Sequence, residues 1–253
     1  MINRNGVVLH EGPNVVIIAT GLKAASTNEK TVGMVQIYIL YRHESPMDAV
    51  KSGNDALICG SCPHRAKYDV DGVMVPGSRR CYVNLGKGAR AVYECYARGG
   101  YRHAAANEVP EIFAGRLVRF GTYGDPAFMP AWLLKSIASV AKRWTGYTHQ
   151  WARPEFAWLR DYLMASCDSV FEADTARADG WRRFRVARLG DSGKMAGEIS
   201  CPASKEAGKR TTCERCALCD GARDDNDRRK SIVIQDHSKI ARTKPLVQIA
   251  GIR

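Results

Sequence analysis

From Arg116 to Leu189 the chain alternates strand-like and helix-like runs: RLVRFGTY, PAWLLKSIASVAKR opened by a proline, TGYTHQW, RPEFAWLRDY, LMASC, VFEADTARADG and RFRVARL. Strand and helix in turn, joined by short connections, predict parallel strands, because a parallel pair needs a crossover long enough to hold a helix. That limits the architecture to an open doubly wound sheet or an α/β barrel. The 253 residues are about the length of a full eight-fold barrel, but only six or seven strands are recognisable. The expectation is therefore a compact or incomplete (β/α) TIM-like barrel.

Upstream, NVVIIATG and VGMVQIYILYRH are β-branched and aromatic, which suits two strands. Ser45-Pro46 opens a short helix through Val50, with serine as cap and proline in the first turn. Ala89, Val92, Tyr93 and Tyr96 fall at helical spacing before a Gly99-Gly100 stop. Between these helices, residues 54–88 read as an ordered insertion loop built around cysteines, and residues 199–240 as a Cys-rich subdomain of one α/β domain spanning 1–253.

Parallel connections gather chemistry at the carboxyl ends of strands. The polar residues expected there are Asp125 in TYGDP, His149 and Gln150 in YTHQW, and Asp168 in ASCDS. A carboxylate pair in one crevice supplies a nucleophile and a general acid or base at a sugar carbon when the surroundings separate the two pKa values. Each aspartate also has a simpler reading, as the cap of the helix that follows it. Tyr123, Tyr147, His149, Gln150 and Trp151 offer rings and amide groups that stack on and hydrogen-bond an extruded base, although alternate aromatics in a strand also commonly face a core.

Nine cysteines cluster rather than scatter, which in a reducing compartment favours metal ligation over disulfides. Cys201, Cys213, Cys216 and Cys219 follow C-x11-C-x2-C-x2-C, with His237 a rival fourth ligand. Two residues between thiolates let one tight turn aim both sulfurs at one ion, so zinc is expected, with an iron–sulfur cluster the alternative. Cys59, Cys62 and Cys81 form a second set at C-x2-C-x18-C with His64 nearby, a possible second metal site. Cys95, on a helix, and Cys167, beside Asp168, read as packing residues.

The formal net charge is +12, and from Arg177 onward 18 Lys and Arg face 10 Asp and Glu, a surplus of +8 in that third of the chain. Such a surplus points to a polyanionic partner, nucleic acid and DNA before RNA, unless it only solvates the surface. No apolar stretch is long enough to span a bilayer and MINRNGVVLHEGPNVVIIAT lacks a secretory pattern, so a soluble, cytoplasmic protein without membrane contact is expected. GDSGKMAG and NLGKGAR lack phosphate-loop spacing, no G-x-G-x-x-G follows a strand, and the zinc deaminase signature is missing.

CGSCPHR, CYVNLGKG, RFGTYGDP, GYTHQW and CPASKEAGKRTTCERCALCDG together resemble a group of cysteine-rich proteins encoded by bacteriophages and prophages, over most of residues 50–240. More distantly, an α/β barrel with a C-terminal cysteine knuckle and a following histidine is similar to the tRNA-guanine transglycosylase superfamily, including phage members that exchange guanine in DNA for a 7-deazaguanine. That resemblance implies a TIM-type barrel, one structural zinc on Cys213, Cys216 and Cys219 with His237 or Cys201, and an aspartate nucleophile that displaces guanine. Asp168 takes the nucleophile's place and Asp125 that of base recognition or general acid–base catalysis. The expectation is thus a phage-encoded enzyme that modifies nucleic acid by base exchange, with a small base as second substrate. An iron–sulfur enzyme of radical type and a non-catalytic, zinc-stabilised DNA-binding module are the alternatives.

Overall fold

The computed structural model describes every residue except 1–3, 27, 189–190, 192, 209, 225–226 and 237–253. Eleven strands are found among the described residues: β1 Gly6–Glu11, β2 Val15–Thr20, β3 Met34–Tyr41, β4 Arg102–His103, β5 Leu117–Tyr123, β6 Arg143–Thr145, β7 Tyr147–Thr148, β8 Met164–Cys167, β9 Arg183–Ala187, β10 Glu198–Ser200 and β11 Ser231–Gln235. They make two sheets, β4-β1-β2-β3-β5-β6 and β10-β11-β9-β8-β7. The second is parallel throughout. The first pairs β1, β2 and β3 antiparallel and then continues in parallel through β5 and β6.

The parallel α/β character expected from the alternation is present, but no barrel forms among the described residues. Two features prevent a single closed ring. The β1–β3 meander adds antiparallel strands on the far side of β3, and the chain changes sheets at Gly146, with β6 edging the first sheet and β7 the second. Glycine is required at that crossing, since a Cβ there would stand 2.5 Å from Leu163 Cδ2 and 3.0 Å from Phe120 Cβ.

The helices are α1 Pro46–Ser52, α2 Ala56–Cys59, α3 Arg90–Ala97, α4 Val109–Phe113, α5 Ala131–Val140, α6 Val170–Ala178 and α7 Cys213–Cys216. Ser45 caps α1 by accepting from Asp48 N–H, and α3 ends before Gly99 at φ +69°. RPEFAWLRDY forms a 3-10 helix, Pro154–Asp161, rather than an α-helix. An apolar core runs through both sheets, from Val16, Ile17 and Ile39 to Phe120, Leu133, Leu163 and Ala165. Burial of such side chains contributes about 1.5–3 kcal/mol each and fixes which strand ends can meet. No helix among the described residues is long and apolar enough to cross a membrane.

Candidate metal centre

The centre is assembled at the carboxyl ends of parallel strands. Asp168 follows β8, His149 follows β7, Asp125 follows β5, and His64 arrives on the loop beyond α2. One ligand atom each from His64, His149 and Asp168 lie within 4.8 Å of one another, and this is the one such group among the described residues. His64 Nε2 is 2.8 Å from Asp168 Oδ1 and His149 Nε2 is 3.3 Å from Asp168 Oδ2. The two imidazoles meet edge to face at 5.4 Å.

Asp168 is free to do this because it does not cap α6. Ser169 does, accepting from Glu172 N–H, while Glu172 Oε2 accepts from Asp168 N–H at 2.6 Å. Burial alone would raise the Asp168 pKa, but the two histidines outweigh it and hold the carboxylate far below its usual range. Burial would likewise lower the His149 pKa, and Asp168 and Cys62 together reverse that, leaving it well above the usual imidazole value. His149 Nε2 and Asp168 Oδ2 are nevertheless not aligned for a hydrogen bond, and neither finds another partner among the described residues. Two buried, facing polar atoms without partners are the pattern that a cation would satisfy.

Asp125 behaves as the capping reading required. One carboxylate oxygen accepts from Ala127 N–H at 3.0 Å, the other from His149 N–H at 2.8 Å, and the Asp125 N–H donates to Ile58 O at 2.7 Å. Burial pushes its pKa up, with these donors pulling the other way. The residue ties the end of β5 to α2 and to the backbone of His149. Gln150, fully buried, braces the same region, since its Nε2 donates to Cys59 O and its Oε1 accepts from the Ser61 N–H and hydroxyl. Gly60, at φ +54°, lies so close that a Cβ would stand 2.5 Å from Gln150 Oε1. Arg65 completes the brace by reaching Gly53 O, Gly60 O and the buried Asp55 carboxylate.

The cysteines of the insertion loop border this centre. Arg80 N–H and Cys81 N–H both donate to His64 O, at 3.1 and 2.9 Å, so the eighteen-residue excursion returns directly to the CPH turn. Burial raises the Cys59 thiol well above its ordinary value, and Cys62 and Cys81 add to the shift. Tyr123 is buried at the end of β5 with its hydroxyl unpartnered, in the field of Cys59, Asp55, Arg79 and Cys81. Tyr147, expected beside the carboxylates, instead packs on Phe184 at 4.3 Å with its hydroxyl toward Cys219, because it points to the opposite side of β7.

The tail sulfurs form a separate neighbourhood. Cys201 follows β10, Cys213 and Cys216 begin and end α7, and Cys219 is buried against Met164 and Ile232. Cys213 N–H donates to Lys30 O, Gly33 N–H donates to Glu214, and Ala217 takes the left-handed conformation at φ +44°. Burial, then the field of the other three thiols, pushes Cys219 up to about 12. No three of these sulfurs come within 4.8 Å of one another, so the expected knuckle is not drawn together at ligand distance. His237 lies outside the described residues. Cys95 and Cys167 are buried in the core.

What sequence reasoning missed is the joining of His64, His149 and Asp168 into one set. His64 stood as a ligand of a second metal site beside Cys59, Cys62 and Cys81, His149 as a substrate contact and Asp168 as a nucleophile. Their separation of 104 positions between His64 and Asp168 leaves no spacing signal to read. No family model, no curated protein and no solved structure matches the chain.

Proposed function

We propose that the chain is a metal-dependent enzyme whose ion is held by His64, His149 and Asp168, and that its substrate is polyanionic, with nucleic acid first. The observation that carries the reading is the convergence of these three ligand atoms within 4.8 Å, with His149 Nε2 and Asp168 Oδ2 3.3 Å apart and without a hydrogen bond. Two imidazoles and a carboxylate suit zinc, which would supply Lewis-acid polarisation of a substrate oxygen. Asp168 stays ionised and orients both histidines. Asp125 fixes the His149 backbone, and Gln150 presses the Cys59–Cys62 turn against it.

The net charge of +12 supports a polyanion. A groove of about 420 Å³ beginning at Trp151 sets Trp158 and Trp181 beside Arg153, Arg160, Asp161 and Asp179, so it offers stacking surface while its charges balance. Guanine exchange in DNA asks Asp168 to attack a sugar carbon. A carboxylate engaged by two imidazoles is a poorer nucleophile than a ligand, so the geometry favours ligation.

Metal analysis of the purified protein tests the reading. A stoichiometric ion that is lost in His64→Ala and in Asp168→Asn, but retained in Cys216→Ser, supports it. An ion that survives both substitutions, or no ion at all, ends it.

A second reading has one observation in its favour. Because Cys81 N–H donates to His64 O, Cys59, Cys62 and Cys81 share one neighbourhood, and an iron–sulfur cluster holds its sulfurs farther apart than a single ion does. Anaerobic purification decides between the two: iron with inorganic sulfide supports the cluster, and zinc alone removes it.

A further inference from the structure

The segment NLGKGAR, which lacks phosphate-loop spacing, leads into α3 and helps to enclose a cavity on the first sheet. Lys87 leaves the helical backbone at φ −115° and ψ −116°, so the chain kinks there before α3 begins at Arg90. Strand register builds the floor. Ile18 pairs with Tyr38 and Thr20 with Gln36, which makes Thr20 and Tyr38 diagonal neighbours on one face of β2 and β3. The opposite wall is helical: Ala91 and Cys95 on α3 and Arg98 directly after it fall at i, i+4 and i+7, so they lie along one side. The enclosed volume is about 340 Å³, at the small end of the range of about 300–1,000 Å³ typical of ligand pockets.

Three polar side chains that line this cavity have no partner among the described residues. Tyr38 is nine-tenths buried, and its hydroxyl, 3.1 Å from where a Cβ on Gly88 would stand, makes no hydrogen bond. Gly88 lines the same cavity, so the hydroxyl is at its wall. Burial pushes the Tyr38 pKa up, with Arg119 pulling the other way, and the hydroxyl remains a donor. The Thr20 hydroxyl and the exposed Arg98 guanidinium are likewise unengaged. No carboxylate lines the cavity, and Arg98 carries its one formal charge. A few polar groups set in an otherwise apolar hollow are what orients a bound small molecule. Here they are two hydroxyls and a guanidinium, donors that complement an oxyanion, and the guanidinium fork matches carboxylate or phosphate oxygens in pairs. We infer that this cavity binds a small organic anion, its carboxylate or phosphate held by Thr20, Tyr38 and Arg98 and its apolar body set against Val92 and the Tyr101 ring. The site shares no residue with the His64, His149 and Asp168 centre, so it does not rest on the metal reading.

Ligand-detected NMR titration of the full chain with benzoate and with phenyl phosphate tests the inference, with benzyl alcohol as the uncharged counterpart. At least one anion is expected to bind saturably while benzyl alcohol does not, and the tighter of the two tells a carboxylate ligand from a phosphate ester. Arg98→Gln weakens that anion about 10- to 100-fold, and Tyr38→Phe, which removes one hydroxyl and keeps the ring, weakens it about tenfold. Arg143→Gln, at an exposed arginine on β6 outside the cavity, leaves the affinity unchanged. Circular dichroism melts of the variants accompany the titrations; an exposed arginine and a nearly isosteric ring are both replaced without loss of the fold. Failure of both anions to saturate overturns the site. So does wild-type affinity in both Arg98→Gln and Tyr38→Phe, and so does an equal loss in Arg143→Gln, which would reduce the effect to net charge.

Discussion

Replacing Asp125 with asparagine separates a capping role from a chemical one. In the wild type the carboxylate accepts from Ala127 N–H at 3.0 Å and from His149 N–H at 2.8 Å. The amide keeps one acceptor oxygen, and its NH2 group then faces a backbone N–H, donor against donor. One hydrogen bond to a charged group is lost, about 1.5–3 kcal/mol, and a buried N–H is orphaned at a further ~1–3 kcal/mol. Removing a buried charge offsets part of this, which leaves a net loss of about 2–4 kcal/mol. For a chain of this size that is about 4–16 °C in Tm. Urea melts followed by circular dichroism and tryptophan fluorescence measure it. Both proteins are chelated first, because an ion bound only to the folded state would mask the difference. A variant within about 0.5 kcal/mol of wild type that has lost all activity refutes the capping argument and makes Asp125 a reacting group.

Three further outcomes follow from the same geometry. Arg185 and Glu198 are fully buried and bidentate, at 3.0 and 2.8 Å, so Glu198→Gln is expected to cost about 3–5 kcal/mol in a urea melt. The arginine pair and the Met195 N–H hold the Glu198 pKa below 4.5 against burial, so this stability is present above 4.5 and is lost as pH falls through the lower, folded value. In the glutamine variant that part of the acid sensitivity disappears, and an unchanged pH profile counts against the pair. Gly60→Ala forces a Cβ to 2.5 Å from Gln150 Oε1 at φ +54°, and is expected to cost about 1–3 kcal/mol and to weaken ion retention, read by metal analysis after dialysis. Gly72→Ala, at φ +76° with open space around it, carries the backbone strain alone and keeps its ion. If nucleic acid is the polyanion, its affinity falls linearly with the logarithm of salt in a filter-binding titration, whereas a flat response removes it as a partner.

The elements with strong local patterns were legible. NVVIIATG, RLVRFGTY and LMASC became β2, β5 and β8, and the serine cap and glycine stop bounded α1 and α3 as expected. β1 was missed because Gly6 and the polar pair His10 and Glu11 shorten its apolar run. β10 and β11 were missed because three to five residues inside a charged tail carry little pattern of their own. Both are stabilised by parallel pairing, β11 with β9 across some forty-eight positions, a non-local term that no window of sequence contains. The barrel expectation failed for a related reason. Alternation specifies parallel neighbours, but not that a chain will cross between sheets at Gly146. The candidate site was legible residue by residue, at Asp125, His149, Gln150, Asp168 and His64, but not as one set.

The segment from Gly146 to Gln150 shows how backbone pairing decides which way each of its side chains faces. Gly146 N–H donates to Cys219 O, and Gly146 O accepts from Met164 N–H, which locks the segment between the tail and β8. From there strand alternation decides direction: Tyr147 goes to Phe184 and the tail sulfurs, and Thr148 is buried on the other side, where it hydrogen-bonds Asp125. The strand ends at once, because His149 N–H is taken by Asp125 rather than by a ladder partner, and Gln150 N–H turns back to Thr148 Oγ1. That exit releases the His149 ring toward His64 and Asp168, while Gln150 seizes the cysteine turn. Asp125 therefore holds the backbone of His149, and Tyr147, expected beside it, packs in the opposite neighbourhood. These five consecutive residues thus tie the His64, His149 and Asp168 cluster to Cys59 on one side and to Cys219 on the other.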